Sequence, residues 1–340
     1  MTRYRKDIQG LRGVAILLVL IYHSGVALPG GFVGVDVFFV VSGFVITQLL
    51  VEELELTGGI DLKNFYARRA RRLLPALAIV TVSTLAFSFV ALSPFGAQQE
   101  VVATGAASSV FIANFYLLIQ DTYSNLGSNP LRHMWSLAVE EQFYLVFPVV
   151  IFLAWKFLLN KTRNPKRNLS VLVVSAGMVS FYLSYGFSNG RGARFVARLF
   201  ETTPERFAFF SMPTRAWEFA LGVLVFLGFR SRNRFNAKLA LIFTAIAFSV
   251  LIWSATFIRS EDSFPGWRAL LPTTSTALLI LFGTNSKFNE ILLGNRFICF
   301  LGDISYSLYL WHCPNWSCHG GDGWLDGTAN GIDFGCSAFG

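Results

Sequence analysis

Two ionisable residues, Arg12 and His23, lie in the first long apolar stretch of the chain. Charged side chains are costly inside a membrane-spanning helix, so they are candidates for function. Their separation of 11 residues is about three helical turns, which places both on one face about 16 Å apart. Histidine alone titrates near neutral pH, so His23 is a candidate general base for activating a hydroxyl group. A histidine that only packs or hydrogen-bonds is the alternative.

Acidic residues follow in two motifs. In GGFVGVDVFFVVSGF, a tight hairpin of the first two helices would let the Asp36 carboxylate orient the His23 imidazole. The alternatives for Asp36 are a helix cap or a pair with an arginine. RHMWSLAVEEQFYLVFP holds His133, Glu140 and Glu141, which we expect at the external mouth of a span. Consecutive helical residues diverge by about 100°, so one carboxylate can face the bundle and the other a polar cavity. An ion pair with an external arginine and interfacial anchoring are the alternatives.

The motif FYARRARRLLP concentrates positive charge within about one helical turn. Its arginines are Arg68, Arg69, Arg71 and Arg72. Guanidinium forks suit phosphate oxygens, so these residues could clamp a phosphorylated donor such as coenzyme A. Anchoring on anionic lipid at the cytoplasmic surface is the plainer interpretation.

The motif GDISYSLYLWH ends the last predicted span. Spacings of three and four residues place Ser305, Tyr309 and His312 near one helical face, where hydroxyl groups and an imidazole could bind a substrate. A belt of interfacial tyrosine and tryptophan is the alternative for Tyr309.

The composition defines the setting of these motifs. Hydrophobic residues make up 54% of the 340 residues, charged residues 14%, and the mean hydropathy is +0.52. This excludes an ordinary soluble enzyme and predicts an all-α, polytopic integral-membrane helical bundle with about 9–10 transmembrane helices. The candidate spans are roughly 10–28, 32–51, 73–93, 138–155, 170–187, 213–229, 238–258, 268–284 and 297–312, with 101–119 weaker. The net charge of +8 is compatible with basic loops, and we expect no nucleic-acid partner.

Basic residues collect at the N-terminus and in three later loops, which we therefore expect to be cytoplasmic. An odd number of crossings must then separate Arg72 from Trp135. We therefore predict that 101–119 is a re-entrant or interfacial segment. Residues 120–135 would lie outside, and the protein would be a multi-pass protein of the inner (plasma) membrane.

Taken together, these motifs resemble acyltransferase family 3, the integral-membrane acyltransferases that include O-antigen and peptidoglycan O-acetyltransferases. The resemblance also draws on PTRAWEFALG, and the motifs follow in family order over residues 4–312. It implies that Arg12 and His23 are the family's basic-residue and histidine pair, with His23 catalytic. It is closest to members with an SGNH-type domain after the last helices, so it implies a separate or fused transferase of that type as a partner. We expect none within these residues.

The resemblance implies transfer of an acyl group, usually acetyl, from cytoplasmic acyl-CoA to a hydroxyl group of a cell-surface carbohydrate. Acyl-CoA would be a donor substrate, and we expect no tightly bound cofactor and no metal. Direct transfer, a covalent acyl intermediate and an acyl relay remain open. A transporter of acyl groups or solutes without transferase chemistry is the rival interpretation, because it would also bury arginine, histidine and glutamate.

The pattern changes after His312. Residues 313–340 contain no lysine or arginine, three of the four cysteines and no apolar run of spanning length. We predict that 313–340 is not native to the family domain and arises from a frameshift or truncation. The cysteine and histidine spacing there fits no zinc motif.

Overall fold

The computed structural model describes residues 5–25, 28–94, 96–120, 129–157, 162–229, 236–259 and 263–319. These residues form α-helices and short 3₁₀ turns without a β-strand, which confirms the all-α class. The helices are α1 Lys6–His23, α2 Gly34–Thr57, α3 Leu62–Ala91, α4 Ala97–Ser109, α5 Ala113–Ile119, α6 Met134–Phe157, α7 Pro165–Ser188, α8 Ala193–Phe200, α9 Pro204–Phe210, α10 Met212–Phe229, α11 Ala237–Phe257, α12 Leu270–Phe282, α13 Lys287–Leu293, α14 Arg296–Asp303 and α15 Ser305–His319.

Within the described ranges, five helices are long and apolar enough to cross a membrane by length and composition. They are α2 with the 3₁₀ turn before it, α3, α6, α7 and α11. The 18-residue helices α1 and α10 carry the charges Arg12, Arg215 and Glu218, and α12 has only 13 residues. The bundle class thus matches the prediction, while fewer helices than the predicted 9–10 meet the span criterion on their own.

The segment 101–119 is not one continuous helix. It is divided between α4, of 13 residues, and α5, of seven residues. Phe111 lies between them with a φ of 57°, a left-handed conformation that interrupts a helix. A helix needs about 20 residues to span a bilayer, so neither piece does so. This is the behaviour predicted for a re-entrant or interfacial segment.

Helix α2 lies at the centre of the core and packs against α1, α10, α12 and α6. Its closest approach is to α10, where a Cβ atom on Gly43 would lie 2.1 Å from the Phe219 carbonyl oxygen. A Cβ atom on Gly222 would likewise lie 2.0 Å from the Val40 carbonyl oxygen. The two glycines let the helix backbones touch, as small residues do at helix contacts in membranes.

The structure of α15 bears on the predicted boundary after His312. The helix runs without interruption to His319, and Cys313 is buried. The fold therefore does not break between residues 312 and 313. Residues 320–340 lie outside the described residues, so the frameshift stays a prediction.

Candidate active site

An ion pair joins α3 to α6. The Arg69 guanidinium donates two hydrogen bonds to the Glu141 carboxylate, one of them from Nε at 2.8 Å. It also stacks on the Tyr144 ring, with its central carbon 3.2 Å from the ring centroid. A charge in an apolar bundle needs a partner of opposite sign, and a planar guanidinium can meet a carboxylate and an aromatic face together.

The neighbouring carboxylate, Glu140, faces a different set of groups. It accepts hydrogen bonds from Ser42 of α2 and from the Tyr144 hydroxyl, the latter at 2.9 Å. Its charge also acts on Arg12, which donates to the Ser305 hydroxyl from Nη2 at 3.0 Å and from Nε at 3.3 Å. The two glutamates therefore diverge, and five helices, α1, α2, α3, α6 and α15, meet at this polar cluster.

This arrangement corrects the predicted separation of charge. Arg69 was expected at the cytoplasmic surface and Glu141 at the external mouth, yet the two side chains are in direct contact. Each is the eighth residue of its helix, about 10 Å from that helix's first residue. The carboxylate is buried in the bundle, where only a nearby cation offsets its desolvation.

The four arginines of FYARRARRLLP do not form one clamp. Arg69 points into the bundle, whereas Arg68 is 62% exposed and lies 3.8 Å from Glu53. Arg71 is exposed and donates to the Ala67 carbonyl oxygen of its own helix. Arg72 is exposed, and its charge acts on Arg12. Arg12 and Arg72 are thus the two arginines that could bind an anionic donor beside the glutamate cluster.

Three histidines form a second polar cluster. The ring of His312 lies between those of His23 and His133, with a centroid distance of 4.7 Å to each. The Nδ1 atoms of His23 and His312 lie 2.8 Å from the Val19 carbonyl oxygen and 2.7 Å from the Tyr309 carbonyl oxygen, respectively. A carbonyl oxygen only accepts, so Nδ1 carries the proton in both rings and Nε2 carries the lone pair.

The remaining contacts of this cluster come from α15 and the start of α6. The Tyr309 hydroxyl bonds to the Ser136 hydroxyl and donates to the His133 carbonyl oxygen at 3.1 Å. Cys313 places its sulfur 3.3 Å from His312 Nε2. Both ring nitrogens of His133 are buried without a hydrogen-bond partner of good geometry among the described residues.

Helices α1 and α15 connect the two clusters. Arg12 contacts Ser305 near one end of the pair, and His23 contacts His312 near the other. Residue numbers rise in the same direction along both helices, so the two run parallel. The clusters are separated by about 16 Å along α1 and about 10 Å along α15. The structure therefore brings the predicted residues of the first and last motifs together along one helix pair.

Asp36 belongs to a third group and does not orient His23. Its Oδ1 atom accepts from Arg215 Nη2 at 2.8 Å, and its carboxyl group also interacts with that of Glu218, although Oδ2 makes no hydrogen bond of good geometry among the described residues. Arg215 Nε lies 2.9 Å from the Glu218 carboxylate, and all three side chains are almost completely buried. The pair with an arginine, proposed as the alternative for Asp36, is the one formed. Its physical reason is the cost of an unpaired buried carboxylate.

Several site residues were not among the predicted ones. Ser42 and Tyr144 bond to the predicted Glu140, Ser136 bonds to the predicted Tyr309, and no charge or spacing in the sequence distinguishes these three residues. Arg215 and Glu218 did carry a signal, because two charges in the apolar span PTRAWEFALG need partners.

Comparison with known proteins decides the family. The chain matches the family model described as an acyltransferase domain over residues 5–315. It belongs to this acyltransferase family. The match confirms the resemblance carried by the motifs and extends three residues beyond the predicted boundary at residue 312.

Curated relatives of this family member include proteins of Staphylococcus aureus. O-acetyltransferase OatA of strain NCTC 8325 is 32% identical over 326 residues, which cover 92% of this chain and 50% of OatA. A putative O-acetyltransferase of strain MSSA476 is 31% identical over 323 residues, covering 91% of this chain and 50% of that protein. The chain thus spans about half the length of these relatives. No solved structure matches it significantly.

Proposed function

We propose that this membrane protein is an O-acyltransferase. It would move an acyl group, of which acetyl is the simplest, from cytoplasmic acyl-CoA to a hydroxyl group of a cell-surface carbohydrate such as O-antigen, peptidoglycan or exopolysaccharide. The family and the names of the relatives support O-acetyl transfer. The inner (plasma) membrane location, the cytoplasmic N-terminus and the association with a separate or fused SGNH-type transferase belong to the same proposal.

The observation that carries the proposal is the parallel pair of α1 and α15. The pair joins a cluster of arginines and glutamates to a cluster of histidines. An anionic donor needs the cations, and an acceptor hydroxyl needs a base. A helix pair that carries the cations and the base about 16 Å apart suits a reaction whose two substrates arrive from opposite sides of the membrane.

The acceptor end has a defined protonation pattern. His23 Nδ1 donates to the Val19 carbonyl oxygen, so Nε2 has the lone pair that takes the proton of an acceptor hydroxyl. His133, Tyr309 and His312 would bind the acceptor around it. At the donor end, Arg12 and Arg72 would attract the phosphates, while Ser305 and Glu140 hold Arg12 in place.

The test is the substitution His23→Ala. We expect acylation of the surface glycan, measured by mass spectrometry at matched protein levels in the membrane, to fall by about 10²–10⁴-fold, the usual contribution of a positioned base. Ser24→Ala is the matched control, because Ser24 ends the same helix and its hydroxyl bonds only locally to the Ile21 carbonyl oxygen. Acylation by His23→Ala close to that of the control would refute the role of His23.

A further inference from the structure

We propose that His23, His312 and Cys313 form a binding site for a divalent transition-metal ion of the zinc type, and that the bound ion inhibits acyl transfer. One ligand atom from each residue lies within 4.8 Å of the others. Nitrogen and sulfur ligands lie about 2.0–2.3 Å from a zinc ion, so neighbouring ligand atoms of a tetrahedral site are about 3.3–3.6 Å apart. His312 Nε2 and the Cys313 sulfur, 3.3 Å apart, already have this spacing, and binding requires the remaining separations, of up to 4.8 Å, to shorten by about 1 Å.

The hydrogen bonds of the two imidazoles prepare them for a metal. Metal-binding histidines usually donate their second ring N–H to a carbonyl or carboxylate, which fixes the tautomer and the ring orientation. His23 and His312 both do so, to the carbonyl oxygens of Val19 and Tyr309. Each ring therefore offers Nε2 with its lone pair, and His312 Nε2 is the atom that lies beside the Cys313 sulfur.

A second observation at the same place is the state of His133. Its side chain is 6% exposed, and neither ring nitrogen has a hydrogen-bond partner of good geometry among the described residues. The backbone groups of Pro130 and Leu310 interact with this ring without forming hydrogen bonds of good geometry, which is costly for a buried imidazole, and the ring packs against that of His312. His133 is thus available as a fourth ligand, or as a partner for a water molecule in the fourth position.

The ligand atoms of the proposed site, two nitrogens and one sulfur, favour one kind of ion. Imidazole and thiolate ligands suit zinc and other borderline-soft metals, whereas magnesium and calcium prefer oxygen. Binding balances as a proton exchange, in which the Cys313 thiol releases its proton to solvent and the sulfur bonds to the ion. With two neutral imidazoles and one thiolate as ligands, the divalent ion and its ligands together carry one positive charge.

The inhibitory part of the inference rests on the proposed function. A metal on His23 Nε2 occupies the lone pair that would take the proton of the acceptor hydroxyl. Catalysis and metal binding therefore exclude each other at this atom. His23 lies in the last turn of α1, at the end that the basic loops predict to be external, so the ion would enter from outside.

The binding experiment uses the full chain in lipid nanodiscs titrated with Co²⁺, whose thiolate complex has a near-ultraviolet charge-transfer band. We expect one equivalent to bind with this band and to be displaced by Zn²⁺. Cys313→Ser should abolish the band and weaken Zn²⁺ binding by about tenfold or more. Cys299→Ser is the matched control, since Cys299 is also buried but its sulfur lies near the carbonyl oxygens of Lys6 and Leu293. Absence of stoichiometric binding, or equal bands in the two variants, overturns the site.

Acyl transfer is measured separately, as a ratio of rates with and without Zn²⁺ for each protein. Inhibition of wild type and Cys299→Ser, with little inhibition of Cys313→Ser, supports the whole inference. Zn²⁺ binding that leaves acyl transfer unchanged refutes the inhibitory part. If the metal-free protein binds the metal but transfers no acyl group, the proposed function is refuted and the metal site is supported.

Discussion

At the scale of single residues, Arg69 and Glu141 show what a charge inside this bundle requires. Their two hydrogen bonds and the Tyr144 ring replace the water that both groups lose on folding. Because the Arg69 guanidinium already bonds to the Glu141 carboxylate, it is less able to bind a ligand than the exposed arginines of the same motif. Its expected role is to fix α3 against α6, and our proposal assigns donor binding to Arg12 and Arg72.

The variant Arg69→Gln tests this assignment. Removing one partner leaves the Glu141 carboxylate buried and unpaired, at a cost of about 3–5 kcal/mol, so the thermal unfolding temperature in detergent should fall clearly. Adding Glu141→Gln should restore much of that loss, because two neutral amides can bond to each other. Arg68→Gln is the control, since that side chain is 62% exposed and its ion pair contributes little. A double variant as unstable as Arg69→Gln alone would contradict the pairing.

At the scale of elements, the contact between α2 and α10 depends on two glycines. These helices carry the buried group of Asp36, Arg215 and Glu218, whose short distances require the backbones to be close. Gly43 and Gly222 each face a carbonyl oxygen of the other helix at a distance that leaves no room for a side chain. Small residues thus allow three ionisable side chains to meet in the centre of the bundle.

Gly222→Ala should therefore destabilise the fold. Its Cβ atom would lie 2.0 Å from the Val40 carbonyl oxygen, and the helices must separate by an amount that costs about 1–3 kcal/mol. Gly228→Ala is the control on the same helix, because its Cβ atom would meet no atom within 4 Å, and alanine favours a helix by about 1 kcal/mol over glycine. Thermal unfolding of the two variants side by side measures the difference. Equal stabilities would show that α2 and α10 are not in close contact.

At the scale of the whole molecule, the apolar spans and the motifs were enough to predict the helical class and the family. The sequence also identified candidate site residues, because charge and helical spacing are local properties. They are Arg12, His23, Ser305 and His312. It did not predict that Arg69 pairs with Glu141 or Asp36 with Arg215. Those pairs depend on which helices are neighbours and on how far each helix is shifted along its axis relative to the other. The periodicity of a single helix does not contain that information.

The pairing of α3 with α6 also bears on the topology of the chain. Tyr66 contacts Leu145, and Arg69 contacts Glu141, so residue numbers rise along α3 as they fall along α6. The two helices are antiparallel, so the end of α3 and the start of α6 lie on the same side of the Arg69–Glu141 contact. Since α4 and α5 are too short to cross, neither described helix of this segment makes a crossing.

The distribution of the basic loops predicts that residues 120–135 lie outside, and cysteine labelling tests this prediction. In a background without the four native cysteines, Ser128→Cys should react with a membrane-impermeant maleimide added to intact cells. Ser128 lies outside the described residues, so the label reports a side of the membrane that the structure does not. Leu56→Cys is the control for the opposite side, because Leu56 is 80% exposed at the end of α2 beside the basic loop and should react only after permeabilisation. If Ser128→Cys also requires permeabilisation, the orientation inferred from the basic loops is wrong. The start of α6, with His133 and the histidine cluster, would then face the cytoplasm, and an acceptor on the cell surface could not reach it.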